Sequence, residues 1–303
     1  MDNANTMNTN SASIRGISGY SLKMIAVISM FIDHLGATVV LGYLYAARRV
    51  TATMVDSNRL LDQLLVWGHD NWNTAVSIYD YMRYIGRIAF PIYCFLIVEG
   101  FLHTKNVKKY ALRLGLFALI SEIPFDLAFN EGWLDIYSNN VYFTLLIGLL
   151  VIWGISLIRK ECGLFAPDAS QGLQEAQEVP EERSKKSIEI IRKLCGIVTI
   201  LACIGVGAFV AKYILHTDYG AAGVLTIVVM YLLHKKSWMG FIMAVLVLTL
   251  MTNSTELIAL IGAVFVCYYN GERGKNVKYF FYAFYPVHLL LLWLITYLLG
   301  FKS

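Results

Sequence analysis

A small set of ionisable residues stands inside otherwise apolar stretches of this 303-residue chain: Asp33 with His34, Arg83 with Arg87, Glu99 with His103, Glu122 with Asp126, and His288. A charged group at the centre of a membrane-spanning helix costs at least ~2.5–3.5 kcal/mol, so such groups usually face partners or a wet cavity. The spacing suggests one polar site within a membrane. His34 has the chemistry of a general base; the alternative is a histidine hydrogen-bonded between helices. Helical neighbours point about 100° apart, which leaves Asp33 poorly placed to orient His34. A partner for His34 is expected from another helix.

The remaining groups pair off by spacing. Arg83 and Arg87 stack one turn apart, as do Glu99 and His103, and as do Glu122 and Asp126 around Pro124. Arg83 reads as a side chain snorkelling to the outer interface. Arg87 is deeper, and its expected ion-pair partner is Glu122 or Asp126. Pro91 cannot donate a backbone hydrogen bond, so a kink is expected there, with the carbonyl of Arg87 left free. Asn140 and Tyr142 open the next apolar run on the same outer side. Tyr282, Tyr285, Pro286 and His288 share the last run, where His288 reads either as a substrate or donor contact or as packing. No His or Cys pattern fits zinc, and no metal is expected. There is no phosphate-binding glycine loop and no nucleophile elbow.

These groups need elements to hold them, and the composition says which kind. Hydrophobic residues make up 57% of the chain and charged ones 15%, with a mean hydropathy of +0.58. That composition points to an all-α polytopic membrane protein. Apolar runs at roughly 22–44, 84–103, 110–129, 141–158, 191–211, 219–234, 237–252, 255–269 and 279–299 predict a bundle of about nine transmembrane helices. The runs at 237–252 and 255–269 are short enough to form a re-entrant hairpin instead. Eighteen of the 25 Lys and Arg residues fall on the side of the N-terminus, so the N-terminus is expected in the cytoplasm and the C-terminus outside.

The first run is about 20 residues with Asp33 and His34 in its middle, and it is expected to stay as a span rather than be cleaved as a signal peptide. Residues 1–21 read as a disordered tail, and residues 22–303 as one transmembrane domain. Residues 160–189 read as a disordered cytoplasmic insertion. Residues 45–82 read as an extracytoplasmic loop with an interfacial helix carrying Leu60, Leu61, Leu64 and Leu65. Membrane lipids are the implied surroundings. No basic patch carries an RNA- or DNA-binding motif, so nucleic acid is not expected as a partner. Four of the five cysteines lie in apolar runs and read as buried small hydrophobes.

Several segments together resemble the TraX family, named for a conjugation (F-pilin) protein. They are Lys23-Met-Ile-Ala-Val-Ile-Ser-Met-Phe-Ile-Asp33-His34-Leu-Gly36, Tyr84-Ile-Gly-Arg87-Ile-Ala-Phe-Pro91, Val98-Glu99-Gly-Phe-Leu-His103-Thr104 and Ile120-Ser-Glu122-Ile-Pro-Phe-Asp126. Asn140-Val-Tyr-Phe-Thr144 and Phe281-Tyr-Ala-Phe-Tyr-Pro286-Val-His288 complete the set. Residues 45–82 and 160–189 lie outside these motifs. The resemblance implies a multi-pass protein of the bacterial plasma (inner) membrane, tied to acetylation of the N-terminal amine of pilin. It is also similar to polytopic acyltransferases that use acetyl-CoA.

On that reading His34 is the base. Asp33, Arg87, Glu122 and Asp126 complete the catalytic group, and Arg87 polarises a carbonyl or orders the two carboxylates. Glu99, His103 and Lys105 line the side where the donor arrives, and Asn140, Tyr142, Tyr285 and His288 contact substrate or donor. The acceptor is a pilin-like protein or a cell-surface glycan. A proton-coupled transporter and a non-catalytic pilus or conjugation assembly factor are the alternatives from other functional classes.

Overall fold

A computed structural model describes residues 16–50, 59–130, 132–164 and 180–302, and among these every element is helical. The elements are α1 (Gly19–Leu35), a π-helical segment (Gly36–Val40), α2 (Leu41–Arg48), α3 (Leu60–Asp70), α4 (Trp72–Gly86), α5 (Ala89–His103), α6 (Val107–Phe129), α7 (Val141–Cys162) and α8 (Pro180–Phe209). A second π-helical segment (Val210–Ile214), α9 (Gly220–Leu232), α10 (Ser237–Met251), a 3-10 segment (Ser254–Leu260), α11 (Ile261–Cys267) and α12 (Lys278–Leu298) follow. Most of the expected N-terminal tail, residues 165–179 of the expected insertion, and residues 51–58 lie outside the described residues. Residues 180–189 belong to α8.

Among the described residues, five helical stretches are long and apolar enough to cross a membrane: Gly19–Arg48, Trp72–His103, Val141–Cys162, Lys186–Ile214 and Tyr279–Leu298. A sixth is added if α9 and α10, bent by 78° at their junction, count as one span. The other expected spans fall short for two physical reasons. Lys108, Lys109, Arg113, Glu122 and Asp126 interrupt the apolar run of α6. Helices of 13–15 residues such as α9 and α10 reach only roughly 20–23 Å at 1.5 Å per residue.

The two ends of the bundle are tied by backbone and side-chain bonds. Ile17 N donates to Tyr268 O (2.8 Å), Asn270 N to Ile17 O (3.0 Å), and Gly19 N to Glu272 O (2.8 Å). At the opposite end of α12, Lys302 Nζ donates to Leu127 O (2.6 Å). Near Leu127, Asn139 N donates to His216 O (3.1 Å) and Asp218 N to Asn139 O (2.9 Å). Between these ends α5, α7, α9 and α10 form the core around Ile92, Leu149, Ile152, Ile227 and Phe241, all fully buried. Without a hydrophobic drive between helices, close packing holds such a bundle together, and small residues allow it. A Cβ at Gly223 would lie 2.4 Å from Thr144 Cγ2 and 2.9 Å from Phe90.

Candidate intramembrane site

The helix break that Pro91 causes falls earlier than the proline itself. Pro91 is the third residue of α5, in the first turn, where a missing N–H goes unnoticed. The carbonyl it fails to serve belongs to Arg87, and α4 accordingly ends at Gly86. Across the gap Arg87 N bonds Tyr84 O (3.2 Å). Arg87 Nε then folds back to cap the carbonyl of Arg83 at 3.2 Å. Ser29 Oγ reaches across from α1 to donate to Ile85 O at 2.5 Å. The carbonyls of Arg83, Tyr84 and Ile85 are thus satisfied at the junction, and the Nη atoms of Arg87 are aimed away from α4.

It is aimed at residues that spacing alone does not reveal. Arg87 Nη1 donates to Glu256 Oε1 at 2.9 Å, and Arg87 Nη2 lies 3.7 Å from Asp33 Oδ1. The expected pairing of Arg87 with Glu122 or Asp126 is therefore corrected. Glu122 takes hydrogen bonds from Asn140, whose Nδ2 also donates to Ala118 O (2.8 Å). Asp126 accepts from Asn130 Nδ2 and Asp135 N, both at 2.8 Å, and holds the turn after α6. Both acids are buried; the two Asp126 oxygens are bonded by the turn after α6 and Glu122 Oε2 by the α7 cap Asn140, while Glu122 Oε1 has no hydrogen-bond partner among the described residues. Arg83 is likewise no snorkelling side chain: its Nη1 donates to Asp33 Oδ2 at 2.7 Å.

Glu256 is the residue the sequence reading missed. It is 1% exposed, in the first turn of the 3-10 segment that Asn253 caps through Thr255 N (3.0 Å). A signal was available, because Glu256 is the lone charged residue between 237 and 271. Asp33 can reach Arg83 because Gly86 leaves room for it. A Cβ at Gly86 would lie 2.0 Å from Asp33 Oδ1. Removing one member of a buried pair strands the other charge, which costs about 3–5 kcal/mol. These contacts therefore lock α1, the α4–α5 junction and the 3-10 segment into one arrangement.

His34 finds its partner on α12. His34 Nδ1 and His288 Nε2 are 2.7 Å apart, with the rings nearly parallel at 5.0 Å and 5°. The directions of the protons follow from the far end of the chain. His288 Nδ1 lies 2.7 Å from Phe284 O, and a carbonyl can only accept, so His288 carries its proton on Nδ1. His288 Nε2 is then the acceptor, His34 Nδ1 the donor, and His34 Nε2 the nitrogen left with a free lone pair. Beyond His34 the helix turns π-helical over Gly36–Val40, where Thr38 Oγ1 caps His34 O at 2.6 Å. Such bulges re-aim side chains and recur at functional sites.

A cavity of about 260 Å³ joins these groups. Asp33, His34, Arg83, Arg87, Asp218 and Glu256 line it with Phe90, Tyr93, Tyr219, Tyr285, Thr252 and Asn253. Of the expected site residues, Asp33, His34, Arg87 and Tyr285 meet there. His288 stands behind His34, and Tyr142 packs edge-on against Tyr285 at 5.0 Å. Asn140 caps α7, its Oδ1 accepting from Tyr142 N at 3.0 Å. Glu99, His103 and Lys105 are elsewhere. Twelve helical residues separate Arg87 from Glu99, roughly 18 Å along α5, and His103 bonds Glu99 O (2.8 Å) at the exposed far end. Asp218 was also missed by sequence reading, because it lies in a short connection rather than in an apolar run. Burial pushes its carboxyl up to about 6, helped by Asp33 and Glu256 and opposed by Arg87 and Arg83.

A partly open polar cavity set among long apolar helices marks a helical membrane protein with a cluster of ionisable groups inside the bundle. The chain belongs to the TraX family: the family model described as TraX protein matches residues 18–166 and 184–296. That match runs through residues 45–82, which the motif-level resemblance left out. The chain is also similar to the probable fimbrial assembly protein FimC, serogroup H1, of Dichelobacter nodosus, at 24% identity over 91% of this chain and 94% of that protein. No solved structure matches the chain.

Proposed function

We propose that this chain is an integral inner-membrane acyltransferase that moves acetyl from acetyl-CoA to an amine or hydroxyl acceptor, a pilin-like protein or a cell-surface glycan. The observation that carries this reading is the Phe284–His288–His34 relay, which leaves the lone pair of His34 Nε2 free in a residue that lines the cavity. A base of that kind takes the acceptor's proton as its nitrogen or oxygen attacks a carbonyl. The attacked carbonyl becomes an oxyanion, which a fixed donor must hold; its collapse would break the carbon–sulfur bond and release CoA as a thiolate, which takes the proton back from His34. Arg83 supports that role better than Arg87 does. Arg87 spends Nε and Nη1 on hydrogen bonds to Arg83 O and Glu256 and sets Nη2 3.7 Å from Asp33 Oδ1, whereas Arg83 engages protein acceptors through Nη1.

Acetyl-CoA, when bound, supplies the activated thioester carbonyl. The cavity is smaller than the ~300–1,000 Å³ of ordinary ligand pockets, so it suits an acetyl group and the reacting end of the acceptor. The nucleotide of the donor would stay outside it.

The chain is proposed to cross the membrane nine times with its N-terminus in the cytoplasm and its C-terminus outside. The Lys and Arg distribution supports this. So does the pairing of residues 17–20 with 268–273 at one end, and of Leu127 with Lys302 at the other.

The test is transfer of labelled acetyl from acetyl-CoA to an extract of native membrane proteins and glycans by the purified protein in liposomes. His34→Ala is expected to lose ~10²–10⁴-fold in rate; equal rates for variant and wild type overturn the reading. A second reading, a non-catalytic assembly factor for a pilus or conjugation apparatus, is favoured by the similarity to the probable fimbrial assembly protein FimC. It predicts that a chain carrying His34→Ala restores surface assembly in a deletion strain.

A further inference from the structure

Three carboxyl groups and two guanidinium groups line the cavity, and they are not equivalent. Asp33 is held by Arg83 and Arg87, and Glu256 by Arg87. Asp218 has no such partner among the described residues. Its backbone is nevertheless pinned: Asp218 N donates to Asn139 O at 2.9 Å, Thr217 N to Ala211 O at 2.9 Å, and Thr144 Oγ1 to Thr217 Oγ1 at 2.8 Å. The next residue, Tyr219, lies flat on Phe90 with ring centroids 3.5 Å apart. A rigid connection therefore presents one carboxyl group, surrounded by protein yet accessible from the cavity that His34 also lines.

We propose that Asp218 is the residue that recognises the acceptor, its carboxylate accepting a hydrogen bond from an N–H or neighbouring O–H of the acceptor head other than the one whose proton passes to His34. This rests on the acyltransferase reading. The two guanidinium groups balance Asp33 and Glu256, so Asp218 leaves the cavity one negative charge in excess. That excess fits an ammonium or hydroxyl head and disfavours a carboxylate or phosphate. An unpaired carboxyl group in low-dielectric surroundings is costly until a ligand satisfies it, so a donor head gains affinity by binding there. Its elevated ionisation range is consistent with that environment; Asp33, Glu256, Arg83, Arg87, Tyr219 and Tyr285 all act on it or feel it.

Two measurements on the full chain test the proposal. Carbodiimide coupling to glycinamide, read by peptide mass mapping, is expected to modify Asp218 ahead of Asp33 and Glu256. Modification of Asp33 or Glu256 first overturns the assignment of Asp218 as the free acid, and it does so whether or not the chain transfers acetyl. In the transfer assay, a short peptide with a free α-amine and an alkyl glucoside serve as amine and hydroxyl probes. Asp218→Asn is expected to raise KM for the accepted probe by about 10- to 100-fold, the loss of one charge-assisted hydrogen bond, with kcat little changed. Asp218→Glu, which restores the carboxylate, is expected to recover part of it. An unchanged probe KM in Asp218→Asn overturns the proposal while leaving the acyltransferase reading intact. Absence of transfer by wild type overturns the acyltransferase reading and, with it, this role for Asp218.

Discussion

His34 and His288 are 254 residues apart in the chain, yet a single N–H···N hydrogen bond of 2.7 Å joins their stacked rings. The bond fixes more than ring position. Because His288 Nδ1 is committed to the Phe284 carbonyl, the proton of the pair has one place to go, and the free lone pair is delivered to His34 Nε2. His288 is thus a positioning residue.

That assignment predicts a split in kinetics. His288→Leu removes the acceptor for His34 Nδ1–H and frees the ring to rotate. Acetyl transfer is expected to fall in kcat by about 10²-fold, the low end of a general-base contribution, with little change in acceptor KM. A change confined to KM would show instead that His288 acts in binding.

The partner of Arg87 can be settled by a double-mutant cycle on unfolding in detergent. Arg87→Ala alone is expected to cost about 3–5 kcal/mol, because Glu256 is left buried without its cation while Asp33 keeps Arg83. Arg87→Ala with Glu256→Gln should show coupling of at least about 1 kcal/mol, and Arg87→Ala with Glu122→Gln coupling near zero. The reverse pattern would restore the Arg87–Glu122 pair that spacing suggested.

Gly86 and Gly115 make a matched pair of alanine substitutions. Gly86→Ala drives a Cβ to 2.0 Å from Asp33 Oδ1 and must displace that side chain from Arg83. Loss of both transfer activity and thermal stability is expected. In Gly115→Ala the nearest atom to the new Cβ is Leu146 Cδ2 at 3.5 Å, an ordinary contact. There the helix propensity of alanine should raise stability by up to about 1 kcal/mol.

Asp218 gives a pH signature of definite sign. Its folded-state value, about 6, lies above the ordinary 3.8. The folded chain therefore holds a proton that the unfolded chain has released between those values, and stability falls as pH rises through that window. Relative to Asp218→Asn, the wild type is expected to lose thermal stability between pH 4 and 6 and to run parallel above it. A wild type that gains relative stability over that interval would contradict the burial of this carboxyl.

Much of the site was legible in the sequence for one reason: an ionisable residue in an apolar run is costly, and the cost flags it. Asp33, His34, Arg87 and Tyr285 all line the cavity, and the need for a partner to His34 from another helix follows from the angle between helical neighbours. Glu256 was equally visible as the lone charge in its run, but its neighbourhood reads as a turn. Asp218 carried no such flag, since acids in connections are ordinary.

By itself the sequence determined the helical class, the polar residues that must be buried, and the family, because composition, apolar run length and local motifs are properties of neighbours along the chain. Which charge meets which was decided only by tertiary structure. Arg87 could reach acids on several helices from its spacing. The break at Gly86, the room that glycine gives Asp33, and the approach of the 3-10 segment selected Asp33 and Glu256 over Glu122 and Asp126. The site of the base's free lone pair was decided the same way, by a carbonyl on α12 that can only accept.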